Sequence, residues 1–129
     1  MKFLAIIYND ESQYADATPE DIAATFQAHG EFGQAATEAG VFQGGEGLQP
    51  VATATTLRVR DGERMLTDGP YAETKEQLGG YYALECKDLD EALEWAARIP
   101  GAANGSVEVR PIIDYEAAEA GAATSEATA

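Results

Sequence analysis

The chain predicts an α+β domain: an antiparallel sheet with two helices packed on one of its faces. Three observations carry that reading. Short runs rich in β-forming residues alternate or stay apolar over strand lengths. Two stretches with helical apolar spacing each begin at an N-cap signal. These segments follow one another as strand, helix, strands, strand, helix, strand. The 129 residues, 45% of them hydrophobic, suffice for one ordinary core and one domain.

Phe3 to Tyr8 is a short apolar run ended by the polar cluster Asn9-Asp10-Glu11-Ser12, which reads as a buried strand. Thr18-Pro19-Glu20-Asp21 then starts a helix, with Thr18 as N-cap, Pro19 at the first helical position and Asp21 near the positive end of the dipole. The helix should run to Ala39, burying Ile22, Phe26, Phe32 or Gly33, and Ala36, with Gly40 closing it. Val41 to Leu48 holds three glycines between its ends and can form only a short or bulged strand. Thr53 to Arg60 alternates strictly, with Leu57 and Val59 on one side and Thr56, Arg58 and Arg60 on the other. Asp61-Gly62 signals a two-residue hairpin, so Glu63 to Thr67 should pair back.

Gly80 to Lys87 reads as a longer strand whose faces are Tyr82, Leu84, Cys86 and Tyr81, Ala83, Glu85. Asp88 caps a second helix, with Glu91 completing a capping box, and that helix carries Leu93, Ala96, Ala97 and Ile99 before Pro100-Gly101. Ser106 to Ile112 is the last strand. This order is the split β-α-β pattern of a ferredoxin-like fold. Leu57, Val59, Val107 and Val109 can serve the helix-covered face, which leaves Arg58, Arg60, Tyr81, Glu85, Glu108 and Arg110 for the other. That mixture suits either a wet face meeting a partner's sheet across a cleft or a solvated surface with cross-strand ion pairs. The domain is expected over residues 1–113. Residues 114–129 form an acidic, Ala-rich tail with Asp114, Glu116, Glu119 and Glu126 and no base.

Charge narrows the function. Eight Lys+Arg against 23 Asp+Glu give −15, a field that repels nucleic acid and anionic lipid. The N-terminal apolar run is too short for a signal segment or a membrane span, so the chain is expected to be cytoplasmic. The single Cys86, in a strand-like run, reads as a buried structural thiol. One histidine among scattered carboxylates lacks metal-ligand spacing, and no cofactor is expected.

The segment TDGPYAETKEQLGGYY concentrates chemistry. Asp68-Gly69-Pro70 is a tight turn, and Tyr71, Glu73, Thr74, Lys75 and Glu76 bring a phenol, carboxylates, a hydroxyl and an amine within six residues. It is equally the composition of a solvated loop. Gly79-Gly80 lets backbone pass closely but matches no phosphate fingerprint. His29, the one histidine, could carry a proton if oriented by Asp68 or Glu31, or could be a partly exposed helix residue on a face with Gln27 and Glu31.

TDGPYAETKEQLGGYYALE, the capped LDEALEWAARIP, the closing VEVRPI, and upstream MKFLAIIY, AGVFQGGEGLQP and ATTLRVRDG together resemble the DGPF-motif family, a branch of the YCII-related proteins, over about residues 1 to 113. Tyr71 stands where that family usually has Phe. The resemblance implies a ferredoxin-like fold that dimerises sheet to sheet as a dimeric α+β barrel. It implies a superfamily of small-molecule enzymes in which a His-Asp pair is proposed to act in the YCII-like branch, while the DGPF branch has no established reaction and tends to be encoded near sigma factors.

Two readings follow. In the first, a homodimer's cleft brings Asp68 as base, with His29, to Tyr71, Glu73 and Lys75, while Arg58 and Arg110 clamp an anionic group of a small polar or aromatic metabolite. The second is a non-catalytic regulatory or scaffold module engaging a sigma factor or another protein partner.

Overall fold

The computed structural model describes residues 1–121. Its elements are β1 (Lys2–Asn9), α1 (Pro19–Glu38), β2 (Phe42–Gly47), β3 (Thr55–Arg60), β4 (Glu63–Asp68), β5 (Gln77–Glu85), α2 (Leu89–Ala96), β6 (Ser106–Pro111) and α3 (Tyr115–Ala120). Four strands form one sheet in the order β2-β5-β1-β6, every neighbouring pair antiparallel. This is the ferredoxin-like arrangement, with the β3–β4 ribbon inserted between its second and third strands as a separate two-stranded sheet.

Local signals act where the sequence places them. The Thr18 hydroxyl accepts from the Asp21 amide at 3.1 Å and the Asp21 carboxylate accepts from the Thr18 amide at 3.0 Å, a reciprocal cap with Pro19 in the first turn. Asp88 accepts from the Glu91 amide at 2.9 Å, but the Glu91 carboxylate reaches past the cap to the Lys87 amide at 2.8 Å. Asp61 and Gly62 both take left-handed backbone (φ 53° and 78°), the twist a two-residue hairpin turn needs. Asp114 caps α3, and the rest of the expected tail, from residue 122, lies outside the described residues.

The core lies between the sheet and the two long helices. Phe3, Ala5 and Ile7 of β1, Leu84 of β5 and Cys86 just beyond it, Phe32 and Ala36 of α1, and Ala92, Ala96 and Ile99 of the α2 region are all buried. Val107 and Val109 pack against this cluster, as expected of them. Cys86 is a buried free thiol, and desolvation pushes its pKa up, as a structural role requires.

Three expectations need correction. Leu57 and Val59 do not join the covered face: their ribbon pairs only with itself, which leaves them 51% and 55% exposed. Arg58 and Arg60 leave the main sheet for the same reason, so its uncovered face holds Tyr81, Glu85, Glu108 and Arg110 with Leu4, Ile6 and Tyr8 of β1. The apolar stripe of α1 buries only its C-terminal half. Ile22 and Phe26 are 47% and 72% exposed, because the strands beneath them carry glycines rather than side chains to pack against.

On the uncovered face the Tyr8 hydroxyl donates to the Glu108 carboxylate at 3.2 Å, and Arg110 donates to the same carboxylate at 2.6 Å. The Arg110 contact is the main reason the Glu108 carboxyl sits below its usual range.

Candidate functional site

A cavity of about 470 Å3 opens between the middle of α1 and the paired strands β2 and β5. Thr25, Phe26 and His29 come down from one side of α1, while Gly45 and Gly47 of β2 and Gly79 and Gly80 of β5 supply walls of bare main chain. The space exists because those strand positions have no side chains. Ile7, Leu48 and Tyr82 add apolar surface, and Asn9, Glu46 and Tyr81 complete the lining.

The glycines divide by cause. A methyl on Gly80 would stand 2.7 Å from the Glu46 carbonyl oxygen, and one on Gly45 would stand 2.7 Å from that of Tyr81, so close strand approach requires both. A methyl on Gly47 would meet nothing within 4 Å, and its backbone is not left-handed. The fold gives no reason for glycine there, and the position faces the cavity.

At the inner wall His29 Nδ1 lies 2.7 Å from the Tyr82 hydroxyl. Both groups are half-buried. Tyr82 is held by its ring, 4.8 Å from that of Phe32 and 6.1 Å from that of Phe42. Burial lowers the His29 pKa below the ordinary imidazole value and raises that of Tyr82 above the ordinary phenol value. At neutral pH the pair is therefore an uncharged imidazole beside an un-ionised phenol. Either the phenol donates to Nδ1 while Nε2 carries the ring proton, or Nδ1–H donates to the phenol oxygen and leaves Nε2 as a base. Both tautomers offer one proton donor and one acceptor for acid-base work.

Neither expected orienter of His29 is its partner. Glu31 accepts from Gln27, one turn earlier on the outer side of α1. Asp68 ends β4, exposed, and does not line this cavity. Tyr82 was missed although a signal existed. Positions 22, 26, 29, 33 and 36 form one helical stripe that includes His29, and Tyr82 shares the strand face of Leu84.

The other anticipated residues fall in two places. The Arg58 guanidinium lies 5.5 Å from the centre of the exposed Tyr71 ring. Next to them Glu73 lines a shallower hollow of about 280 Å3 with Val51, Pro70, Thr74 and Gln77, and Lys75 is exposed on the same connection. This loop is tied to the body by polar bonds. Gln77 accepts from the Glu11 amide at 2.9 Å, Ser106 donates to Glu76 at 2.8 Å, and the Glu11 carboxylate accepts from the Val51 amide at 3.1 Å. Arg110 stands apart, on Glu108 of the uncovered face. Among the described residues no cluster of three His, Cys, Asp or Glu side chains could hold a metal ion, and no helix is long and apolar enough to cross a membrane.

Fold and site together define a small ferredoxin-like α+β domain with a ligand-sized hollow under its first helix. The YCII-related domain family matches residues 1–116, and the chain belongs to that family. It is 38% identical over 121 residues to an uncharacterized protein of Rhizobium meliloti (strain 1021), a likeness covering 92% of this chain and 98% of that one.

Proposed function

We propose that the protein binds a small polar or aromatic metabolite in the α1–β2–β5 cavity and moves a proton on it through His29 and Tyr82. The observation that carries this is the 2.7 Å contact between two uncharged titratable groups at the wall of a hollow of about 470 Å3, within the usual size range of ligand sites. This centre replaces Asp68 with its arginine clamp, since neither Arg58 nor Arg110 lines the cavity. The protein is read as a member of the DGPF branch working as a homodimer. Its uncovered sheet face, where Leu4, Ile6 and Tyr81 lie among Glu85, Glu108 and Arg110, would meet the partner's sheet to form a dimeric α+β barrel.

The test is ligand-detected thermal shift over a metabolite library on the wild type, His29→Asn, Tyr82→Phe and Asp68→Asn, with oligomeric mass measured alongside. Stabilising hits should disappear in the first two variants and persist in Asp68→Asn. Hits lost only in Asp68→Asn would return the site to the loop. A dimer with no hits in any form would favour a non-catalytic interaction module.

A further inference from the structure

We propose that this cavity selects an uncharged, flat, largely apolar ligand bearing a single hydroxyl or ring-nitrogen function, and that it rejects carboxylates and phosphates; the inference rests on the cavity being the ligand site. Four features point to that class. No Lys or Arg lines the hollow, and the one ionisable carboxylate in its lining is Glu46. A bound anion would lose its hydration without gaining a counter-charge, in a chain that already carries −15.

The polar equipment at the inner wall is one neutral pair, His29 and Tyr82, which suits one donor-acceptor function of a ligand, the Thr25 hydroxyl and the Asn9 amide being the other uncharged polar side chains of the lining. The apolar walls come from opposite sides. Phe26 stands on the helix side and bare glycine backbone on the strand side, so the space between them is a slot that favours a planar molecule over a branched one. Finally, a Cβ on Gly47 would meet no atom within 4 Å, so packing does not account for its absence and the space beside it is open to a ligand.

2-Naphthol and 2-naphthoate make the comparison directly, because they share a ring system and differ in charge. Isothermal titration on the full chain near neutral pH should show 2-naphthoate binding at least about tenfold more weakly than 2-naphthol, the cost of an unpaired charge in a partly dry site. Gly47→Val should abolish 2-naphthol binding while leaving the melting temperature of the free protein unchanged. Thr25→Phe, a substitution at an exposed helix position over the same space, is the second block should Gly47→Val fold poorly.

Equal or tighter binding of 2-naphthoate, lost in the blocking variants, overturns the ligand class and leaves the site standing. Binding of either probe that ignores both blocks overturns the ligand class as well, since the probe then sits elsewhere. Failure of both probes to bind overturns the ligand class too. The site itself falls only if metabolite-library hits are also indifferent to Gly47→Val and Thr25→Phe.

Discussion

The two ends of the covered sheet face are built from opposite materials. Toward α2 and the C-terminal half of α1 the strands present Phe3, Ala5 and Leu84, which the small residues Ala36, Ala92 and Ala96 let the helices approach closely, and none of these six exceeds 5% exposure. Toward the N-terminal half of α1 the strands present Gly45, Gly47 and Gly80. The same helix that seals one end stands over a hollow at the other, with Phe26 largely exposed. Stability and binding are thus assigned to different stretches of one helix-sheet interface. Packing density decides the first, and the deliberate lack of it creates the second.

The sharpest way to break this division is a truncation at the sealed end. Leu84 is fully buried, so Leu84→Ala should cost about 2–5 kcal/mol of unfolding free energy, the range for a large-to-small change that leaves a cavity. Chemical denaturation measures it. A loss under about 1 kcal/mol would mean that this end is as loosely built as the other.

Next come the glycines of the hollow end, where two neighbours should behave differently. Gly80→Ala forces a methyl against the Glu46 carbonyl and the Gly47 Cα, both main-chain atoms that can yield only by moving a strand, so a cost of about 1–3 kcal/mol is expected. Gly47→Ala meets no atom and should stay within about 0.5 kcal/mol of the wild type. If both proved neutral, strand approach would not explain Gly80. If both proved costly, Gly47 would belong to the fold and its link to a ligand would be lost.

How much of this was readable in advance follows from the range of each interaction. The Thr18 cap, the Asp61-Gly62 turn and the burial of Leu84 and Cys86 depend on residues within a few positions and on strand alternation, and the sequence displays them directly. Strand partnership is non-local. Leu57 and Val59 alternate as well as any core strand, yet nothing in their own segment says that the ribbon leaves the main sheet. The exposure of Ile22 and Phe26 was hidden likewise, since a helical stripe does not reveal that glycines lie opposite it. For the site, the chemistry of the Tyr71–Glu76 loop drew attention because its polar groups are adjacent in sequence. His29 and Tyr82 are 53 positions apart and meet only once α1 crosses β5.

The smallest expected effect sharpens the comparison from the hollow end. Burial holds the His29 pKa below the ordinary value of 6.5, while in the unfolded chain it titrates at that value. As pH falls through 6.5 the unfolded state takes up the proton first, so His29 opposes folding progressively until the folded-state pKa is passed; above 6.5 the penalty is absent. Tyr82 mirrors it at the alkaline side: its raised pKa makes stability decline as pH rises past 10, where the unfolded phenol ionises first.

His29 is the single histidine, so the difference between the wild type and His29→Gln in a melting-temperature profile from pH 7.5 down to 5.5 isolates it. The wild type should lose stability across that interval and His29→Gln should not, the difference being modest because the ring is only half-buried. A ligand that hydrogen-bonds the neutral pair should deepen the wild-type slope, since protonating the imidazole would then cost the bound contact as well. Identical slopes in the two proteins would place His29 in water, and with it the argument that the hollow is dry enough to hold an uncharged acid-base pair.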